Sequence, residues 1–107
     1  MMIERKALFP AFVDLLAHEQ LAVRLGAMAA MEEMAQKAPD LAAQTVGPLW
    51  DRFSRADGPV KGDILYTLGE AGTREILPRL KRVLENETDG ELKEAAREAM
   101  DRIHEKA

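Results

Sequence analysis

Three prolines, Pro10, Pro48 and Pro78, constrain what this chain can fold into more than any other feature. Each lies early in, or within, a segment of helical periodicity. Proline is tolerated in the first turn of a helix, where its missing N–H would have no partner, and it breaks or kinks a helix further in. Each such segment is followed by a second helix that opens on an apolar residue and then a basic one: Val23-Arg24, Val60-Lys61 and Leu92-Lys93. In each second helix further apolar residues follow four positions on (Ala27, Ile64, Ala96) and eight positions on (Met31, Leu68, Met100). Spacings of four and eight keep the three on one helical face. The chain therefore reads as three imperfect copies of a helix pair, over approximately 6–38, 40–69 and 73–106.

In order, residues 6–17 carry Leu8, Phe12, Leu15 and Leu16 on one stripe, and residues 18–20 connect to a long helix over 21–38. Pro39 ends that helix and Asp40 caps the next. Residues 41–55 place Val46, Leu49, Trp50 and Phe53 at helical spacing, with a kink or restart expected at Gly47-Pro48. Asp57, Gly58 and Pro59 form a turn and cap before a helix over 60–69, whose inner stripe is Val60, Ile64 and Leu68. Gly69 and Gly72 bracket its C-terminus, where a left-handed residue is expected. Thr73 caps residues 74–86, with Ile76, Leu77, Leu80, Val83 and Leu84 inward. Asp89 caps a last helix over 91–105, with Leu92, Ala96, Met100 and Ile103 inward.

Composition supports one all-α domain over 1–107: Ala, Leu, Glu, Arg, Lys and Met dominate, and these are good helix formers. With no cysteine, disulfides and thiol chemistry are excluded. No apolar run approaches the ~20 residues of a membrane span, and no signal peptide is apparent, so a cytoplasmic protein is expected. The net charge of −4 disfavours general nucleic-acid binding.

The run LGEAGTREILPRLKRVLENETDGELKEAAREAM, residues 68–100, resembles a HEAT-like repeat of the kind found in phycobilisome-lyase-type proteins. Its marks are Leu68-Gly69-x-x-Gly72, Leu77-Pro78-x-Leu80, an acidic loop and the apolar-basic start of the next helix. The resemblance is good over 60–103 and looser over 8–55, where the first copy lacks the Gly turn. It implies a short right-handed α-solenoid of about three antiparallel helix pairs, and no particular chemistry. Residues 60–72, with the helical segments before them, are also similar to the C-terminal helical region of some bacterial proteins whose N-terminal half is a thioredoxin- or glutaredoxin-like domain.

No catalytic, cofactor or metal site can be assembled. His18 and His104 lie at opposite ends of the chain, and the acidic residues Glu85, Glu87 and Asp89 lack the ligand alternation of a calcium loop. Gly69-x-x-Gly72 follows a helix rather than a strand, so it is a helix stop and not a phosphate cradle. The expectation is a non-catalytic interaction module without cofactor. Two surfaces stand out. In the helix 21–38, an inner stripe of Val23, Ala27, Ala30, Met31, Met34 and Ala38 leaves Leu25, Met28, Ala29 and Glu32 on the other side. A helix apolar nearly all round is buried all round or binds something. The expected occupant is a protein partner, an N-terminally attached domain or a second copy. The alternative surface is a basic cluster of Arg52, Arg55, Lys61, Arg74, Arg79, Lys81 and Arg82. Seven cations stand there against Asp57, Asp63, Glu70 and Glu75, a net +3, for an acidic partner or a phosphate backbone.

Overall fold

In the computed structural model, which describes residues 10–106, every regular element is helical and no strand occurs among the described residues. The helices are α1 (described over 10–16), α2 (Leu21–Lys37), α3 (Pro39–Ala43), α4 (Val46–Phe53), α5 (Gly58–Ala71), α6 (Leu77–Asn86) and α7 (Gly90–Lys106), with a 3-10 turn Arg74–Ile76 leading into α6. The expected first-helix residues 6–9, Leu8 among them, lie outside the described range.

Helix α5 is the centre of the packing. It lies against α2 on one side and α7 on the other, and α4 backs onto it; α6 packs on α7 and α3 on α2. Its Val60, Ile64, Leu65 and Leu68 are buried, three of them completely. Each such side chain contributes roughly 1.5–3 kcal/mol relative to exposure. The inner stripe expected for this helix is the stripe observed, and Leu65 joins it.

Local chemistry explains most boundaries. Pro59 and Pro78 both sit in the first turn of their helices, where no donor is missed. Thr73 accepts a bond from the Glu75 N–H at the entry to the 3-10 turn, and Asp89 Oδ1 accepts the Glu91 N–H at 2.9 Å to cap α7. The stripes expected for α6 and α7 also hold: Ile76, Leu80, Val83, Leu92, Ala96 and Ile103 are buried, while Leu77, Leu84 and Met100 are half-buried.

Four expectations are corrected. Pro39 does not merely end α2; it opens the short helix α3, with Asp40 in the first turn and Ala38 at the cap position. The break expected at Gly47-Pro48 falls earlier, at Gln44-Thr45, so that Pro48 lies in the first turn of α4 and no donor is lost. Thr45 closes that joint, its buried hydroxyl donating to the Ala42 carbonyl at 2.7 Å. Third, Leu15 is 44% exposed, whereas Val13 and Leu16 are the buried residues of α1.

The fourth concerns Gly69 and Gly72. Neither is left-handed; Gly72 is extended, at φ −76° and ψ 160°. Both are required by close approach instead. A Cβ on Gly69 would meet the Ala99 Cα of α7 at 2.8 Å, and one on Gly72 would meet the Leu68 carbonyl oxygen at 2.4 Å. Lys106 completes the end of α5 by donating from Nζ to the Glu70 and Gly72 carbonyls at 2.7 and 3.0 Å. Burial lowers its pKa below the usual lysine value.

Candidate functional site

Helix α2 has apolar residues around its whole circumference, so packing rather than pattern sets its rotation. The residue that sets it is Arg24. Only 3% exposed, it donates from Nε to Asp63 Oδ2 of α5 at 2.8 Å and from Nη1 to the His18 and Glu19 carbonyls at 2.8 and 2.9 Å. A buried guanidinium is tolerable only when its donors are satisfied this fully. The same side chain thus ties the 18–20 connector and α5 to α2. His18 lies in that connector, its Nδ1 accepting the Gln20 N–H at 3.0 Å.

With Arg24 inward, the buried face of α2 is Arg24, Ala27, Met28 and Met31. This corrects the expected stripe in two places: Ala30 is exposed rather than inward, and Met28, placed outside by the sequence reading, is buried at 9% exposure. The other three candidates on this helix, Leu25, Ala29 and Glu32, are exposed. Leu25 is 51% and Leu21 55% exposed; with Leu15 they are the exposed large hydrophobic side chains among the described residues, and all three lie in α1 and α2. Ala22, Gly26, Ala29 and Ala30 continue this surface as small residues, and a Cβ built on Gly26 would meet nothing within 4 Å. Sequence reasoning missed Leu21, which lies one turn before Leu25.

Glu32 has a more defined role than its neighbours. It accepts the Tyr66 hydroxyl of α5 at 2.9 Å. That bond, ahead of burial, holds the tyrosine pKa above its ordinary value. Arg102 of α7 lies over the Tyr66 ring at 4.0 Å and reaches the Tyr66 carbonyl at 3.4 Å and Glu70 at 3.7 Å. Glu32, Tyr66 and Arg102 therefore link α2, α5 and α7 in one chain of polar contacts.

The basic cluster divides. Arg52 pairs with Asp14 of α1, and Arg55 lies beside it at the end of α4. Lys61, Arg79 and Arg82 gather instead around two aromatic rings of α4. Trp50 and Phe53 stack with centroids 5.2 Å apart and planes 6° apart. Lys61 Nζ is 5.3 Å from the Phe53 ring, Arg79 is 5.9 Å from the Trp50 ring, and Arg82 lines a hollow with both. Arg74 and Lys81 are exposed and line neither the rings nor that hollow. Phe53 is buried and Trp50 half-buried, so one ring of the pair reaches the surface.

Among the described residues no three His, Cys, Asp or Glu side chains converge as a metal site, and no helix is long and apolar enough to cross a membrane. No protein-family model matches this chain, and no curated protein or solved structure matches it.

Proposed function

We propose that the chain is a non-catalytic interaction module that docks an apolar helix of a protein partner on the outward face of α2. The observation that supports it most is a register. With Val23, Val60 and Leu92 aligned, Gly26 and Ala30 of α2 correspond to Asp63 and Thr67 of α5 and to Ala95 and Ala99 of α7. Asp63 holds α5 to α2 through Arg24, and Ala99 seats α7 on Gly69 of α5. One of the two positions meets the preceding helix in each later helix, Asp63 in α5 and Ala99 in α7, whereas on α2 both are exposed small residues flanked by Leu21 and Leu25. Small residues let helix backbones approach closely, and the half-exposed leucines supply apolar area at the rim. The reading includes a HEAT-like solenoid of about three helix pairs, whose first unit offers the stacking face to a partner or to an attached domain, redox or otherwise. The C-terminal end cannot serve the same way: the outward face of α7 is Glu94, Arg97, Glu98, Asp101 and Glu105, all exposed, which suits a solvated cap.

The test is a photo-crosslinking residue at Leu25, with one at Glu98 as the control, followed by reconstitution with the captured protein. The expected result is a single partner at Leu25 alone, whose purified form binds the chain and loses binding to Leu25→Glu. Capture at both positions, or binding that survives Leu25→Glu, overturns the reading. Light scattering on the purified chain identifies the case in which the partner is a second copy.

A phosphate- or nucleic-acid-binding reading of the basic cluster has less support. Arg52 is paired with Asp14 and three of the seven cations gather around one aromatic pair, whereas a strand-tracking groove needs a continuous positive funnel.

A further inference from the structure

The first helices of the second and third helix pairs leave a groove between them. Helix α4 packs on α5 and α6 packs on α7, but α4 and α6 make no extensive contact with each other. The seam opens into a hollow of about 400 Å³ beside Gly47, Ile76 and Arg79. A second hollow of about 230 Å³ lies beside Trp50, Arg82 and Asn86. Arg79 stands between the two, lining the first and lying over the Trp50 ring that lines the second.

Each hollow is lined by one arginine and one glutamate, and Lys61 beside Phe53 brings this part of the surface to a net +1 in a chain of −4. Lys61, Arg79 and Arg82 surround the Trp50–Phe53 pair, and among the described residues none of them has a carboxylate within 4.0 Å. Arg24, Lys37, Arg52, Arg97 and Arg102 are each paired with an acid, so the cations at this seam are among those left available to an outside anion. Glu87 lines the far end of the smaller hollow and Glu75 the larger one.

We propose that the α4–α6 groove binds an acidic peptide segment, seating one apolar side chain against Trp50 and placing carboxylates on Arg79, Arg82 and Lys61. Charge complementarity selects the partner. Arg binds carboxylate by a two-pronged, charge-assisted hydrogen bond, and a half-buried indole beside a small hollow fits an apolar anchor. A nucleic-acid strand fits worse, because the cations surround one aromatic pair rather than forming the continuous track that a phosphate backbone follows. The span from Ile76 to Asn86 is about 15 Å along α6, room for about five extended residues. This surface lies on α4 and α6, with Lys61 of α5 at its edge, and shares no residue with the α2 face.

Trp50 is the chain's only tryptophan, so its fluorescence reports occupancy directly. The full chain is titrated with a ~12-residue peptide of Glu and Leu, with its Gln-for-Glu analogue, and with an oligo-dT strand of similar length. The expected result is a saturable change in Trp50 emission with the acidic peptide and binding at least ~10-fold weaker for the Gln analogue. A comparable loss is expected for the doubly substituted Arg79→Gln/Arg82→Gln chain. Both arginines are exposed, and the Gln analogue on the unaltered chain gives the same comparison should the variant fold poorly. No emission change, equal response to the two peptides, or a response to oligo-dT alone each overturns the proposal.

Discussion

The two flanks of α5 are held by different chemistry. On the α7 side the helices meet at backbone distance: Gly69 faces Ala99, Ala96, Ala99 and Ile103 are buried, and the polar contacts, from Arg102 and Lys106, come from side chains that keep solvent exposure. On the α2 side the buried Arg24 bonds Asp63, and Tyr66 bonds Glu32. Close apolar packing draws stability from area and dispersion and fixes spacing tightly. A buried ion pair contributes less net stability, because desolvation offsets much of the attraction, but its donors are satisfied in one orientation of the helix. In the orientation that buries Arg24, Met28 is inward and Leu21 and Leu25 are outward. The flank that buries an ion pair belongs to the helix with an open face.

The largest effect should come from cutting both flanks at once. Leu68 is fully buried in α5, and Leu68→Ala should cost about 3–5 kcal/mol in urea unfolding; a loss under about 1 kcal/mol would mean α5 is not the shared core. Next, Gly69→Ala separates packing from propensity. Helix propensity alone favours alanine by about 1 kcal/mol, whereas the 2.8 Å approach to a backbone carbon makes a net loss of about 2 kcal/mol the expected result. A stabilised variant would refute the close-packed account of this flank.

Arg24→Ala tests the polar flank and should cost about 1–2 kcal/mol. It strands Asp63 and two carbonyls, but the Asp63 side chain keeps 27% exposure and can be re-hydrated. An Arg24→Met variant as stable as the parent would show that the pair adds no net stability. Smaller still, Leu25→Glu should shift stability by no more than about 0.5 kcal/mol, because the side chain is half exposed; a large loss would reveal that its surface is already covered.

The last prediction concerns protons. Tyr66 is the chain's only tyrosine, so phenolate absorbance titrates it alone. Its neutral form donates to Glu32, and its pKa is raised. The associated stabilisation is therefore present below the usual value of about 10 and is lost as pH rises through the raised one. Glu32→Ala should bring the midpoint down towards the usual value. An unmoved midpoint would dissociate Glu32 from the tyrosine.

Much of the helical architecture was legible locally. Pro59, Pro78, Thr73 and Asp89 mark helix starts through chemistry that acts within one turn, and α6 and α7 carry a single apolar stripe that can face only one way. The α2 face was legible only in part. Its apolar residues encircle the helix, so Leu25 and Ala29 were read as outward correctly while Met28 and Ala30 were exchanged. Phase in such a helix is not written in its own residues; it is set by Asp63, 39 positions away from Arg24.

The sequence by itself determined that the chain is helical, where most helices begin, and which side of α5, α6 and α7 is buried, because caps, prolines and period-four spacing are local properties. The tertiary structure decided the rest. It placed the break at Thr45 rather than Pro48, turned α2 by burying a charged side chain, and gave Gly69 and Gly72 their need for a missing Cβ. Each of these depends on atoms from a distant segment arriving within a few ångströms, and no residue's neighbours in sequence record that arrival.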